Sequence, residues 1–213
     1  MKKLLIAAWT IFIIGSVFRL MNLEGYSILS IIGTLLLLIH SLVFLIKNAK
    51  TDLPTSLVHL SYSFLTTYIL IRLQYWPVGP PFFLIVLLLA ISCFVLLFKR
   101  KIQFKFPQIF LVVYFVFSFV LSFTDTDKIY YFFHLNTVLN GESRNTNYYS
   151  WDKYSWFLYL SDKQDEAIEA NQKAQKAAEE YLKVNQDKED IQYLTLIKLH
   201  GQQIQDKSWT KYP

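Results

Sequence analysis

Five apolar stretches fill the first 123 residues, and they constrain this chain more than any other feature. They are Leu4–Leu20, Ile28–Ile46, Leu57–Leu73, Phe82–Phe98 and Pro107–Phe123. Each is 17 to 19 residues long, so as a helix each reaches ~26–29 Å at the usual rise per residue. The hydrocarbon core of a bilayer is about 30 Å thick. The sequence therefore predicts an all-α, polytopic membrane protein. Five transmembrane helices are expected over residues 1–123, as two tandem hairpins plus one, followed by a soluble helical domain over residues 124–213.

The charges are sorted by side. Residues 1–123 hold ten Lys and Arg against two acids, Glu24 and Asp52, whereas residues 124–213 hold eleven against fourteen. The basic balance thus comes from the apolar half and is no nucleic-acid footprint. Lys2 and Lys3 precede the first stretch, Lys47 and Lys50 follow the second, and Lys99, Arg100, Lys101 and Lys105 follow the fourth. The alternate connections, Met21–Ser27 and Gln74–Pro81, carry no Lys or Arg. Cytoplasmic loops are the basic ones, which predicts a cytoplasmic N-terminus and an extracytoplasmic tail. The start has the basic flank of a signal peptide but no small-residue cleavage pattern, because Gly15-Ser16 leads into Phe18-Arg19. The first stretch is therefore expected to be retained. The lone cysteine, Cys93, excludes an intramolecular disulfide and reads as a small apolar residue.

The first two hairpins resemble one another. Phe18-Arg19-Leu20-Met21-Asn22-Leu23-Glu24-Gly25 joins one pair of stretches, and Ile71-Arg72-Leu73-Gln74-Tyr75-Trp76-Pro77-Val78-Gly79-Pro80 joins the next. In each, an arginine ends a helix and a glycine opens the turn; the two arginines are 53 residues apart. Similarity at a fixed period is the mark of duplication. Pro77, Pro80 and Pro81 stop helix continuation.

This pattern resembles the membrane hairpin of the GldL gliding-motility family of Bacteroidetes. Arg19 falls where that family carries a basic residue and Asn22 where it carries histidine, with Glu24 in the following turn. Arg72, Tyr75 and Trp76-Pro77-Val78-Gly79-Pro80 match the same stretch in the second copy. The resemblance implies a bacterial inner-membrane protein of related architecture. It does not imply the family's ion-driven motor, which relies on an acid in the second helix. Here the second and fourth stretches contain no Asp or Glu.

Ionisable groups inside a membrane are functional candidates because burying them is costly. The candidates are Arg19, Glu24, His40, His59 and Arg72. His40 and His59 are placed to face each other across the Lys47–Pro54 connection, where paired imidazoles relay protons, bind a metal, or simply bond neighbouring helices. No third ligand lies nearby. Arg19 and Glu24 are spaced to pair at the membrane edge.

After Phe123 the composition changes sharply. Ile129–Leu139, Tyr148–Leu160, Gln164–Asn185 and Lys188–Gln205 read as helices, with a loop around Asn140-Gly141. Trp151, Tyr154, Ser155, Leu158, Ala167, Asn171 and Ala174 resemble the spacing of a tetratricopeptide (TPR) helix pair, with Ser161 or Asp162 as cap of its second helix. Asn171 stands where that motif usually has an aromatic residue. A single such unit needs neighbours to bury its core, so protein binding or self-association through residues 124–213 is expected, with Trp151, Tyr154, Trp156 and Tyr159 as candidate contacts. His134 and His200 lack metal-ligand spacing, and no nucleophile motif or phosphate-binding loop is present. The expectation is a non-enzymatic inner-membrane protein without cofactor or metal, its partners being the lipid bilayer and a protein, not nucleic acid. It would anchor or assemble a cell-envelope complex through a periplasmic, TPR-like protein-binding module. The alternatives are a small channel or transporter, or an energy-transducing subunit.

Overall fold

The computed structural model describes residues 2–20, 25–76, 84–89, 91–92, 95, 106–136, 147–185 and 187–210. The chain is helical throughout its described elements and divides into two compact units, Met1–Thr124 and Asp125–Pro213. Glu24, Cys93, Asn140-Gly141 and the turn Pro77–Pro81 lie outside the described residues.

The N-terminal unit contains α1 (Lys2–Leu20), α2 (Tyr26–Asn48), α3 (Leu53–Leu73) and α4 (Phe106–Phe123). Two close approaches seat α1 antiparallel on α2. A Cβ on Gly15 would meet the Ser30 backbone nitrogen at 2.7 Å, and one on Gly33 would meet the Phe12 backbone at 2.6 Å. Small residues at such crossings let helix backbones touch. Asp52 caps α3 by accepting from the Thr55 N–H, with Pro54 in the first turn. The Ser63 hydroxyl donates to the Leu37 carbonyl, tying α3 to α2. Trp9, Tyr62 and Tyr114 form an edge-to-face triad with centroids 5.6–6.2 Å apart. Tyr68 and Ser122 join α3 to α4 at 2.6 Å. With Trp9 beside Tyr62 and Arg19 bonded to Tyr75, α1 and α3 run in the same direction.

The expectation of five transmembrane helices is overturned. Among the described residues one helix, Tyr26–Asn48, is long and apolar enough to cross a membrane. In α1 the cations Lys3 and Arg19 leave the uncharged run Leu4–Phe18, ~22 Å as a helix, short of the hydrocarbon core. In α3, Thr55, Ser56, His59, Ser61, Ser63, Thr66 and Thr67 dilute the hydropathy below that of a spanning segment. The apolar part of α4 that is described, Val112–Phe123, is shorter still. Of the stretch Phe82–Phe98, residues 84–89 are helical and most of the remainder lies outside the described residues.

The C-terminal unit contains α5 (Thr126–His134), α6 (Tyr148–Leu160), α7 (Gln164–Leu182) and α8 (Lys188–Gln205). Alanines 167, 170, 174, 177 and 178 form the inner face of α7 and bring it close to α6 and α8. Leu135, Tyr148, Trp151, Leu158, Ile197, Ile204 and Trp209 complete the core. Burial of such side chains is worth about 1.5–3 kcal/mol each.

The turn between α6 and α7 corrects one expectation. Neither Ser161 nor Asp162 caps α7; Ser161 closes α6 and Lys163 stands at the start of α7 without a side-chain cap. Asp162 adopts a left-handed φ of 58°. The Lys163 N–H reaches the Leu158 carbonyl at 3.0 Å and the Asp162 N–H reaches the Tyr159 carbonyl at 3.1 Å. This is a Schellman end, in which backbone donors beyond the helix satisfy its last carbonyls.

Candidate functional site

The C-terminal unit is built around a buried carboxylate. Asp152 points inward from α6 with no solvent exposure. Isolated, such a charge is too costly to bury, so donors must surround it. His200 Nδ1, from α8, lies 3.0 Å from both carboxylate oxygens. The Tyr193 hydroxyl donates at 3.2 Å, and Asn171 Nδ2 donates at 3.4 Å. Asn171 also donates to the Ile197 carbonyl at 3.0 Å, so one amide ties α7 to both other helices. Asparagine suits this position because it lies between a carboxylate and a backbone carbonyl. The His200 ring stacks on Trp209 at 4.3 Å.

A second buried carboxylate, Asp127 of α5, accepts from Lys163 Nζ at 2.8 Å and from the Ser161 hydroxyl at 3.3 Å. It pins α5 to the α6–α7 turn. The hydrogen bond to Asp127 holds the Lys163 ammonium above its ordinary pKa. Burial pushes the Tyr154 phenol up to about 12, with the charge of Asp127 adding to the effect. Burial raises Tyr148 as well, helped by its hydrogen bond to Asp190, while burial lowers Lys153.

The four aromatic residues expected to contact a partner are placed in the unit's own packing. Trp151 belongs to the core, with Lys173 Nζ 5.0 Å from its ring centre. Tyr154, Trp156 and Tyr159 are partly buried against that core. Tyr154 meets Tyr131 at 5.4 Å, and Trp156 and Tyr159 meet Trp209 at 4.8 and 6.1 Å.

In the N-terminal unit, His40 and His59 come together, ring centroids 5.3 Å apart, with Phe44 against both. Arg19 is buried; it donates to the Tyr75 hydroxyl at 2.8 Å and lies 5.2 Å from the ring centres of Tyr26 and Tyr75. A guanidinium between aromatic faces is stabilised by cation–π attraction. Arg72 donates to the carbonyls of Leu121 and Thr124, capping the end of α4. Glu24 is outside the described residues.

Sequence reasoning missed the Asp152–His200 pair. The two residues are 48 positions apart on different helices, and local spacing carries no signal for such a pairing. A usable signal was a lone aspartate in an aromatic helix, followed by an asparagine on the alanine face of the next. Among the described residues no group of three or more His, Cys, Asp or Glu side chains is arranged to hold a metal. No protein-family model, no curated protein and no solved structure matches this chain.

Proposed function

We propose that this chain is a non-enzymatic, membrane-anchored assembly protein. Its N-terminal unit sits in a bacterial inner membrane, N-terminus on the cytoplasmic side. Its C-terminal helical domain docks a protein partner, or a second copy of the chain, on the periplasmic side. The observation that carries this reading is the inverted polarity of α2. Its exposed large residues are Ile28, Ile32, Leu35, Ile39, Leu42 and Ile46, a stripe with spacings of four and three. Its buried residues are Ser30, Gly33, Thr34, Leu37, His40 and Ser41. A helix in water presents the opposite arrangement. Exposed Ile6, Ile13 and Val17 on α1 and Val113, Val116 and Val120 on α4 extend the same pattern. Lipid is the surrounding that makes such faces favourable, and contiguous apolar surface of this kind marks membrane contact. A docking role for the tail is supported by its filled core, which leaves the outer faces of α7 and α8 for contact. The shared direction of α1 and α3 supports a lineage link to duplicated GldL-type hairpins.

The test is chemical cross-linking in native membranes, comparing the full chain with one ending after Thr126. A specific partner captured by the full chain and lost on truncation is the expected result. Equal capture by both would remove the docking role from the tail. A second reading, ion or solute passage, is favoured by the contact between His40 and His59. It predicts changed flux in proteoliposomes for His40→Ala and His59→Ala, and unchanged flux would end it.

A further inference from the structure

The short helix α5 presents large side chains on two sides. Its inner side is filled: Asp127, Ile129 and Tyr130 are buried, Tyr130 meets Phe157 at 5.0 Å, and Lys163 and Ser161 hold Asp127. Its outer side carries Lys128, Tyr131 and Phe132, which share one face by their i, i+3 and i+4 spacing. Tyr131 is 41% exposed and Phe132 48%, and Phe133 meets Phe132 edge-on at 5.3 Å. A helix of nine residues is marginal on its own in water. Apolar side chains on opposite sides are the pattern of a helix covered from both directions, where a solvated helix keeps its outer side polar. The one ion pair on the outer side, Lys128 with Asp125 at 3.0 Å, sits at the start of the helix.

We infer that the outer face of α5 rests in the interfacial layer of the lipid bilayer, with Tyr131 and Phe132 as its contacts. This rests on the membrane location proposed above for the N-terminal unit and adds a second lipid contact, made by the tail. The chain itself argues for lipid as the occupant. The exposed apolar face of α4 runs through Val113, Val116 and Val120 and ends at Phe123, which is 72% exposed. Only Thr124 and Asp125 separate that residue from α5. The three residues from Phe123 to Thr126 reach ~10 Å at most, and the polar layer of a bilayer is about 5–7 Å deep on each side. The start of α5 is therefore confined to that layer or its edge. Aromatic residues are favoured there, and a lysine stem beside them can lie along apolar surface with its ammonium in water. A helix with this mixture lies in the plane of the interface. A second copy of the chain is the poorer occupant, since two half-exposed rings fall far short of the about 800 Å² per partner of a stable protein interface. With Lys128 already paired to Asp125, the contact is apolar and does not require anionic lipid. The bonds from Lys163 and Ser161 to Asp127 then couple it to the α6–α7 turn.

The experiment uses the full chain in vesicles of zwitterionic phosphatidylcholine. The lone cysteine is removed by Cys93→Ser, and a nitroxide label is placed in turn at Phe132→Cys, Tyr131→Cys, Leu35→Cys and Glu169→Cys. Collision with oxygen, which partitions into lipid, is compared with collision with a water-soluble nickel chelate. Leu35 lies on the exposed stripe of α2 and Glu169 is exposed and paired with Lys173 on α7, so they serve as the lipid and water references. The oxygen-to-nickel ratio at Phe132 is expected to lie between them and several-fold above that of Glu169. Tyr131 should give the same result, which guards against a local disturbance at either site. Adding anionic phosphatidylglycerol should leave the ratio unchanged. A ratio at both sites equal to that of Glu169, a ratio that rises only with anionic lipid, or dipolar broadening between labels on two copies of the chain would each overturn the inference. The two readings fail separately. Leu35 immersed in lipid with Phe132 and Tyr131 in water removes the α5 contact alone, whereas Leu35 in water removes the membrane location and the α5 contact with it.

Discussion

A carboxylate with no solvent exposure is stable in a helical core only when several donors surround it, and Asp152 has His200, Tyr193 and Asn171. Removing it takes a buried acceptor from all three. Asp152→Ala should therefore destabilise the C-terminal unit by about 3–5 kcal/mol, the range for breaking one partner of a buried ionic cluster. Thermal melts of the full chain in detergent, followed by the fluorescence of Trp209 against His200, measure this; a loss under 1 kcal/mol, as for an exposed pair, would contradict it. The tyrosines give a pH signature. Tyr154 is neutral in the folded state up to about pH 12, whereas in the unfolded chain it ionises near pH 10. Between those values the unfolded chain binds fewer protons than the native one, so stability falls as pH rises. Tyr154→Phe should flatten that alkaline fall and leave stability at neutral pH nearly unchanged. At this scale the sequence was only partly legible. His200, Asp152 and Asn171 were each visible as letters, but what pairs them is the antiparallel packing of three helices, which no local spacing encodes.

Helix ends show how an element is delimited without the expected signal. Tyr75, Asp162 and Lys207 all take a left-handed φ of 54–60°. Each sits at the end of a helix closed by backbone donors, as the Trp76 N–H closes on the Ile71 carbonyl and the Ser208 N–H on the Gln203 carbonyl. Glycine is the usual residue there, since other residues pay about 1–2 kcal/mol for that conformation. Lys207 is exposed, so Lys207→Gly should stabilise the unit by about 1 kcal/mol, read as a rise of several degrees in melting temperature. The same absence of glycine explains the misplaced cap at Ser161 or Asp162. The helices themselves were legible. Tail helices read over 148–160, 164–185 and 188–205 are observed over 148–160, 164–182 and 188–205, whereas the first, read over 129–139, runs Thr126–His134 and ends at Leu135. Counting apolar letters failed in the first half because it ignores charge at the ends of α1 and hydroxyls along α3. The inverted face of α2 gives a sharper test. Leu35 is exposed on the aliphatic stripe. In lipid, Leu35→Asp costs about 2.5–3.5 kcal/mol near the helix centre and should sharply reduce membrane-integrated chain in a fractionation assay. In water the same change would be neutral or solubilising, so the sign of the effect separates the two surroundings.

On the scale of the whole molecule, the chain divides its chemistry between two units. The apolar, basic one ends at Thr124, and the acidic one begins at Asp125. A chain ending after Thr126 should therefore resist alkaline carbonate extraction from membranes to the same extent as the full chain. Release of the truncated form would show that the tail supplies part of the attachment. The composition break after Phe123 is plain in the sequence because solvated helices need Lys, Glu and Gln on their outer faces. The buried cluster around Asp152 is not, because it exists only once α6, α7 and α8 pack together. The seating of Gly33 on the Phe12 backbone bears on time as well as shape. The two sides of that contact are 21 residues apart, and His200 lies 167 residues beyond Gly33, while synthesis proceeds at about 5–20 residues per second. That helical pair can therefore close seconds before His200 has been translated. The pair is formed ahead of the second unit, and a ribosome stalled between the two would hold a closed helical pair rather than an unfolded chain.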